Sequence, residues 1–477
     1  MTVAGHRGCH QEGESPMEMS TDRAAAITAW VRQQRWFGDK SRQLDSSTFG
    51  SLGAVTLDNA SIDLLTIDFH FRDGQRSSYF LAIVGGSVSD AQDPGAVMDA
   101  FELPQFRLWF ARGFAERRAI AFGERTMSWI PGLVALSPGD GRLLRSEQSN
   151  TSIQFGDDAV AKVFRRVQPG INPDVEIIQY LTERTDFRHV PRHLGTITLT
   201  TEREGGAVTL AAVQEYVPNQ GDGWAWLLQQ LGSSSAAAQD ALAAVELLGS
   251  RTAEMHRALA SPSVDPAFAP ERLDSGEVDA LLVRLRSEAE RTMASILAAE
   301  ARSQSDVRDL GESVMRTLET AKWLPGSLKT RVHGDYHLGQ VLRTLDDFVI
   351  IDFEGEPSRS LAERREKSSP LKDVAGMLRS LDYAVATHER SKPGSGASIR
   401  SWGVRAQSAF LDGYRASLED DVSSLVPHEA HAFLASLDLY LVEKALYEIR
   451  YELDNRPHWL EIPLSALEAL TARHRMV

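Results

Sequence analysis

The chain has 477 residues, of which 42% are hydrophobic and 25% are charged, as in ordinary globular proteins, and it is too long for a single hydrophobic core. Its formal net charge of −15 disfavours non-specific binding to nucleic acid or to a membrane surface, so neither partner is expected. The single cysteine, Cys9, excludes an internal disulfide and is typical of a cytoplasmic protein, while the polar residues 1–21 predict a disordered leader.

Residues 22–140 are expected to form a module, the cap, in front of the main domain. Two strand-like runs, Leu64–Phe71 and Ser78–Val84, are joined by Asp73-Gly74, which is a hairpin signal. A helix that buries aromatic side chains is predicted over Ala100–Arg118. Core packing explains these aromatic residues better than a cofactor site does.

Residues 141–218 show a pair of strands preceded by a polar loop. The strands are predicted at Ser152–Phe155 and Ala159–Phe164, with a tight turn between them. Hydroxyl and backbone N–H groups of such a loop can hold phosphate oxygens, although most loops of this composition are only turns. The candidate phosphate-binding residues are Ser149, Asn150, Thr151 and Ser152.

Lys162 lies in the middle of the second strand, where a solvent-facing side chain is the simplest interpretation. A helix is predicted to begin after Asn172, with Pro173 in its first position and Glu176 one turn in. A strand lysine paired with a helix glutamate positions the nucleotide phosphates in kinases, and we predict that pair here.

A later segment occupies the position of the connector between the two lobes of a kinase. We predict that its backbone groups bind the adenine edge of ATP, through Gln214, Glu215, Tyr216 and Val217.

The stretch from Val332 to Glu356 has the spacing of a phosphotransferase site. Asp335 lies five residues before Gln340, and Asp352 lies twelve residues after Gln340, directly following a short apolar run that predicts a strand. This spacing predicts that Asp335 takes the proton of the acceptor hydroxyl and that Gln340 and Asp352 hold Mg²⁺. The alternative is that the first aspartate marks a turn and the second a charged loop.

Several of these segments resemble one kinase branch. The runs HGDYHLGQVL and IDFEGEP, the run QSNTS followed by AKVFRR, and the early RWF segment resemble the aminoglycoside-phosphotransferase and maltokinase branch of the eukaryotic-like kinases. The likeness is greatest to the actinobacterial maltokinase group, which also contains glucosamine kinases. It covers the chain from about Trp36 to Leu464 and implies an α+β, bilobal protein-kinase-like fold with the N-terminal cap, an N-lobe at 141–218 and a helical C-lobe at 219–477. It also implies that Asp373 braces the catalytic loop.

A long helix over Leu434–Asn455 is the predicted acceptor-binding element. The run EKALYEIRYELDNRPHWLEIPL resembles the C-terminal signature of maltokinases and glucosamine kinases, in which this helix lines the acceptor site. An exposed face with a Lys444–Glu448 ion pair is the alternative. The predicted substrate-binding residues are His337, Glu354, Asp438, Lys444, Glu448, Tyr451, Asn455 and Trp459. Two other segments are expected to be unremarkable: His256 packed or at the surface of its helix, and Arg364–Lys367 a solvated charged loop.

The resemblance implies an ATP- and Mg²⁺-dependent kinase that phosphorylates a hydroxyl of a small sugar. Glucosamine is the favoured acceptor, and Glu448 or Asp438 is expected to pair with its ammonium group. The alternatives are a maltokinase that makes maltose 1-phosphate, an antibiotic kinase, and a nucleotide-binding pseudokinase scaffold. Tyr336 stands where maltokinases commonly have leucine, which favours glucosamine over maltose. The sequence does not indicate the oligomeric state.

Overall fold

The computed structural model describes residues 19–58, 60–85, 97–132, 139, 141–144, 149–201, 206–357, 359–392, 394, 396–418 and 425–472. Cys9 and the predicted leader up to residue 18 lie outside the described residues. The chain forms two units, Met1–Val175 with His193–Tyr216, and Glu176–Arg192 with Val217–Val477. The predicted division into cap, N-lobe and C-lobe stays a prediction.

The first unit is built on two antiparallel sheets. Within the described residues its strands are β1 (Leu44–Leu57), β2 (Ala60–Phe71), β3 (Arg76–Gly85), β4 (Ala119–Phe122), β5 (Arg125–Pro131), β6 (Arg142–Leu144), β7 (Asn150–Phe155), β8 (Ala159–Phe164), β9 (Arg166–Val167), β10 (His193–Thr201) and β11 (Ala207–Glu215). Four of them form the N-terminal sheet, in the order β1-β2-β3-β9, and seven form the second sheet, in the order β4-β5-β10-β11-β8-β7-β6. Its helical segments are α1 (Thr21–Gln33), a 3-10 turn at Ala100–Glu102, α2 (Pro104–Glu116) and the first residues of α3 (Pro173–Arg184).

The predicted hairpin around Gly74 is confirmed, because β2 and β3 pair in antiparallel register and Gly74 has a φ of 79°. Strand β1 was not predicted from the sequence. Its serine, threonine and glycine residues hide the alternation of apolar and polar positions that marks a strand. The aromatic side chains Phe106, Phe110 and Phe114 of α2 pack in the hydrophobic core, as predicted.

The second unit is mainly helical. Its helices are the rest of α3, α4 (Gly223–Ser233), α5 (Ser235–Leu259), α6 (Ser275–Ala298), α7 (Gln304–Leu318), α8 (Leu361–Arg364), α9 (Leu371–Ser391), α10 (Gly396–Ala416), α11 (Ala430–Asn455) and α12 (Glu461–Ala472), with 3-10 turns at Glu319–Trp323, Leu338–Gln340 and Pro457–Trp459. Two short strand pairs accompany them: β12 (Glu271–Arg272) with β13 (Leu328–Lys329), and β14 (Val341–Arg343) with β15 (Phe348–Ile350). None of the described helices combines the length and the apolar composition needed to cross a bilayer. The predicted α+β architecture is confirmed.

Candidate active site

The loop that carries Asp335 is held by a buried carboxylate from α9. Asp373 accepts hydrogen bonds from the backbone N–H groups of His333 at 2.8 Å and of Gly334 at 2.9 Å. Burial raises the pKa of Asp373, but hydrogen bonds from His256 and Gly334 and the nearby imidazoles outweigh it, so the net pKa is lowered. The ionised carboxylate therefore fixes the backbone just before Asp335, which confirms the predicted bracing role.

Helices α5 and α9 support this loop from two sides. On α5, Thr252 Oγ1 lies 2.9 Å from the hydroxyl of Tyr336, and His256 Nε2 lies 3.0 Å from Asp373. On α9, Ser380 Oγ accepts from the Leu338 N–H at 3.1 Å. His256 is fully buried, so it belongs to the support of the loop. No sequence pattern indicates this role, because Asp373, the partner of His256, lies more than a hundred residues away.

Asp335 faces a half-buried lysine from α11. Lys444 Nζ lies 3.6 Å from Asp335 Oδ1 and 3.4 Å from Glu356 Oε1. Burial lowers the pKa of Lys444, but the carboxylates of Asp335, Glu356 and Glu448 outweigh it and the net pKa is raised. Burial raises the pKa of Glu356, whereas Lys444, Lys372 and Arg359 lower it, to about 2 in total. Lys444 and Glu356 therefore stay charged at neutral pH.

The two predicted metal ligands flank one hairpin. Strands β14 and β15 pair Val341 with Ile350, and the Ile351 N–H donates to the Gln340 carbonyl at 3.0 Å. Asp352 follows directly, with a φ of 67°, a left-handed conformation that costs energy in a residue other than glycine and is frequent at functional sites. A carboxamide oxygen and a carboxylate are hard oxygen donors of the kind that Mg²⁺ prefers beside phosphates, so this pair of side chains fits the ion.

Lys162 has a different acidic neighbour from the one predicted. Its Nζ lies 3.7 Å from Asp174 Oδ2, and Gln214 Nε2 donates to the same oxygen at 3.0 Å. Asn172 and Pro173 start α3 as predicted, and Asn172 Oδ1 accepts from the Asp174 N–H at 2.9 Å. The predicted Lys162–Glu176 pair is therefore corrected to Lys162–Asp174.

Glu176 is bound by two arginines instead. Arg331 Nη1 donates to Glu176 Oε2 at 2.7 Å, and Arg365 donates to both carboxylate oxygens at 2.6 and 3.0 Å. Burial raises the pKa of Glu176, but the two guanidinium groups lower it below its usual value. Asp174 and Glu176 are two residues apart, about 200° around a helix, so they point in nearly opposite directions. Arg365 is thus an ion-pair partner, which corrects the predicted solvated loop at 364–367.

Of the candidate phosphate-binding residues, only Ser149 precedes β7, because the strand begins at Asn150, two residues earlier than predicted. Ser149 is exposed, Asn150 and Ser152 are buried, and Thr151 is half-buried. Ser152 lies opposite Lys162 in the β7–β8 ladder, so the loop and the lysine are adjacent on one sheet. Arg165 Nε donates to Thr151 Oγ1 at 2.8 Å.

In the predicted adenine-binding connector, two amide groups are already used within the protein. The side chain of Gln214 is bound to Asp174, and the Tyr216 N–H donates to the Asp158 carbonyl at 2.9 Å. The backbone N–H of Tyr216 is therefore not available to a nucleotide, and the predicted role of Gln214 stays a prediction. Glu215 and Val217 are half-buried, and their predicted role stays a prediction.

A cavity of about 290 Å³ lies beside Asp335 within the second unit. Its walls are strongly charged and include Arg284 and Glu288 of α6. The α11 residues that line it are Tyr440, Glu443, Lys444, Tyr447 and Arg450. Glu443 is buried and accepts a hydrogen bond from Arg284 at 2.7 Å. A charged, partly enclosed cavity beside a catalytic carboxylate is suited to a small polar acceptor.

Of the predicted substrate-binding residues, Lys444 lines this cavity, and the other seven do not. Glu448 is buried and bound by Arg379 at 2.8 and 2.9 Å, and Asp438 is buried. Neither carboxylate lines this cavity, and their predicted pairing with a substrate ammonium group stays a prediction. His337 accepts from the Gly339 N–H at 3.0 Å, and Arg364 donates to the Glu354 carbonyl at 3.0 Å.

The remaining three predicted residues lie at the C-terminal end of α11 and just beyond it. Tyr451 is exposed and its carbonyl accepts from Asn455 Nδ2 at 2.9 Å, and Trp459 stacks on Tyr383 with a centroid separation of 6.2 Å. The cavity face of α11 instead runs through Tyr440, Glu443, Lys444 and Tyr447. From Lys444, steps of three and of four residues both remain on one side of a helix, so spacing could not decide between the two stripes.

The comparisons with known proteins agree with this site. The model of the phosphotransferase enzyme family matches residues 140–355, which include the loops of Ser149 and Asp335. The glucosamine kinase of Streptacidiphilus jiangxiensis is 32% identical over 338 residues, which are 69% of this chain and 73% of that protein. The chain belongs to this phosphotransferase family. The glucosamine kinase of Mycolicibacterium smegmatis is 30% identical over 333 residues, 69% of this chain and 79% of that protein.

The fold has a counterpart among solved structures. A glucosamine kinase in complex with glucosamine, ADP and inorganic phosphate superposes with a TM-score of 0.66 and 24% identity, covering 90% of this chain and 94% of that chain. This likeness confirms the predicted kinase-like fold. The family confirms the predicted enzyme class, an ATP-dependent phosphotransferase.

Proposed function

We propose that the protein is a glucosamine kinase, which transfers the γ-phosphate of Mg²⁺-ATP to a hydroxyl of glucosamine. The observation that carries this proposal is the charged cavity against Asp335, in a chain that is 32% identical to a glucosamine kinase. A retained catalytic aspartate, strand lysine and pair of metal ligands distinguish it from a pseudokinase scaffold, which typically lacks at least one of them.

Asp335 orients the acceptor hydroxyl and accepts its proton as the phosphoryl group is transferred. Asp373 holds the loop backbone, and Lys444 holds the carboxylate through the 3.6 Å contact. Positioning of this kind supplies most of the rate enhancement in phosphoryl transfer, because the carboxylate need not reorganise during the reaction.

Two further groups of residues serve the nucleotide in this proposal. In the second unit, the side chains of Gln340 and Asp352 hold Mg²⁺, which neutralises charge on the phosphates when bound. In the first unit, Lys162 and the residues Ser149–Ser152 bind phosphate oxygens. Lys162 is oriented by Asp174 rather than by Glu176. Glu215 and Val217 offer backbone groups to the adenine.

The amino group of the substrate requires an acid in the cavity wall, and we assign this role to Glu443. Its carboxylate lines the cavity, whereas Glu448 is bound to Arg379 and Asp438 does not line the cavity. Arg284 and Arg359 lie 2.7 and 3.7 Å from Glu443 and hold its carboxylate in place. A sugar ammonium would gain a charge-assisted hydrogen bond there.

The size of the cavity favours a monosaccharide. Its volume of about 290 Å³ is at the lower end of the range for ligand sites, roughly 300–1,000 Å³. Cytoplasmic location also belongs to this proposal and rests on the single cysteine of the chain.

The test is a screen of ATP consumption with glucosamine, glucose, maltose and an aminoglycoside, with mass spectrometry of the products. Glucosamine should give the highest kcat/KM, and the product should carry one phosphate. Asp335→Asn serves as the control for contaminating kinases. Phosphorylation of maltose with a tenfold higher kcat/KM would identify a maltokinase, and nucleotide binding without turnover on any sugar would identify a scaffold.

A further inference from the structure

Arg165 is a buried arginine that connects the N-terminal sheet to the candidate phosphate loop. It directly follows β8, the strand that carries Lys162, and its side chain is 1% exposed. Its backbone carbonyl accepts from the Phe80 N–H of β3 at 2.7 Å. A fully buried arginine is rare unless its charge is paired, so the surroundings of this guanidinium group are informative.

The guanidinium group binds elements from three parts of the first unit. Its Nη2 donates to the carboxylate of Asp99, and its Nε donates to Thr151 Oγ1 at 2.8 Å. The rings of Trp36 and Phe101 lie 5.1 and 5.0 Å from its central carbon. Trp36 follows α1, and Asp99 caps the 3-10 turn by accepting from the Phe101 N–H.

Only a planar, forked cation fits all of these contacts at once. Arginine can stack on aromatic rings while its edge donates to a carboxylate and to a hydroxyl, whereas the compact ammonium group of lysine cannot. The side chain of Thr151 is therefore oriented from the N-terminal segment, and not only by the strand in which it lies.

We propose that Arg165 is a positioning residue for nucleotide binding, through which the N-terminal segment containing Trp36 and Asp99 holds Thr151 and with it the backbone at the start of β7, where Ser152 lies opposite Lys162. The inference rests on the proposed function, because it assigns Thr151 to the phosphate-binding loop. It gives the N-terminal segment a role in ATP binding rather than in acceptor recognition. Arg165 acts through Thr151 and does not itself bind the substrate.

The experiment measures the affinity of the full-length chain for Mg²⁺-ADP by calorimetry, which needs no acceptor sugar. Arg165→Lys should weaken binding about three- to tenfold, the effect of one hydrogen bond, and leave the KM for glucosamine within about twofold. The matched control is Arg166→Lys, because Arg166 is the exposed neighbour on β9. It should bind Mg²⁺-ADP as the wild type does.

Thr151→Val and the double variant test the coupling. If Arg165 acts through Thr151, then adding Arg165→Lys to Thr151→Val should lower the affinity for Mg²⁺-ADP little further, because the contact between the two residues is already lost. Trp36→Leu should weaken binding in the same direction. Thr151→Val and Trp36→Leu decide the matter if Arg165→Lys does not fold.

Three results would overturn the inference. The first is an unchanged nucleotide affinity in a folded Arg165→Lys variant. The second is an equal loss of nucleotide affinity in Arg165→Lys and Arg166→Lys. The third is a loss of affinity in the double variant that equals the sum of the losses in the two single variants. In each case the wild-type chain would still bind Mg²⁺-ADP and phosphorylate glucosamine, so the proposed function would stand. A wild-type chain that bound no nucleotide would refute both.

Discussion

The ammonium nitrogen of Lys444 lies 3.6 Å from Asp335 Oδ1, so the acceptor helix α11 contacts the proposed catalytic base directly. The same ammonium lies 3.4 Å from Glu356, and all three residues line one cavity. One half-buried cation thus contacts two carboxylates beside the place where the acceptor hydroxyl would sit. The positions of Asp335 and Glu356 in the cavity wall therefore depend on the charge of Lys444.

Asp335→Asn should lower kcat by about 10²- to 10⁴-fold, the usual contribution of a general base. The amide keeps the shape of the side chain but cannot take the proton, so the affinities for ATP and glucosamine should change little. Steady-state kinetics and calorimetry measure the two effects separately. Retention of more than about a tenth of the wild-type kcat would contradict the role of Asp335.

Asp352→Asn should raise the Mg²⁺ concentration needed for half-maximal activity by about tenfold, since a charged ligand of a hard cation is lost. Asparagine tolerates the left-handed backbone at this position, so the fold should persist. Activity is followed against MgCl₂ at fixed ATP. The control is Asp346→Asn, an exposed aspartate in the turn of the same hairpin. Equal Mg²⁺ dependence in both variants would exclude Asp352 as a ligand.

Glu443→Gln should reduce the preference for glucosamine over glucose by about ten- to a hundredfold in kcat/KM, because one charge-assisted hydrogen bond is worth roughly 1.5–3 kcal/mol. The matched variant is Glu448→Gln on the same helix, which removes the partner of buried Arg379. Breaking that pair should destabilise the protein by about 3–5 kcal/mol and leave the sugar preference unchanged. If Glu448→Gln reduced the preference for glucosamine and Glu443→Gln only destabilised the protein, Glu448 would be the residue that pairs with the ammonium group of the substrate.

Glu356 should make stability depend on pH in the acid range. Its pKa is about 2, against 4.5 for an unperturbed glutamate. The folded state thus favours the charged form, and the carboxylate stabilises the fold above about pH 4.5 by about 3 kcal/mol. This contribution decreases as the pH falls below 4.5 and is lost near pH 2. The difference in unfolding free energy between wild type and Glu356→Gln, measured in urea at pH 6 and pH 3, should therefore shrink on acidification. A difference that did not change with pH would contradict the low pKa.

Gly376→Ala should lower both activity and stability. A Cβ there would lie 2.5 Å from the backbone oxygen of Tyr336, so the catalytic loop would have to move. Overpacking of this kind costs about 1–3 kcal/mol. Gly311→Ala is the control, because a Cβ on this glycine of α7 would meet nothing closer than Met293 Cγ at 3.6 Å. That variant should keep full activity, and its free energy of unfolding, measured by thermal denaturation, should rise by up to about 1 kcal/mol. Equal activity in both variants would show that the loop tolerates displacement.

The sequence predicts the local parts of this site better than the long-range ones. Strands β8 and β15 were predicted because short runs of apolar residues mark them within a few positions, whereas β14, the partner of β15, was not predicted. The acid near Lys162 was assigned wrongly, since Asp174 and Glu176 lie in the same helical turn and only the packed structure shows which side faces the strand. The cavity face of α11 could not be predicted for a similar reason, because the pairing of Glu448 with Arg379 of α9 is a long-range contact.

The β14–β15 hairpin has a consequence for how the enzyme acquires activity as it folds. Gln340 and Asp352 are brought together by closing a loop of only a few residues, which is fast and costs little entropy. The contact between Asp335 and Lys444 joins segments separated by more than a hundred residues, and such contacts form late. During refolding, the proposed metal ligands Gln340 and Asp352 should therefore come together before Asp335 contacts Lys444. Recovery of catalytic activity should then lag behind formation of the hairpin.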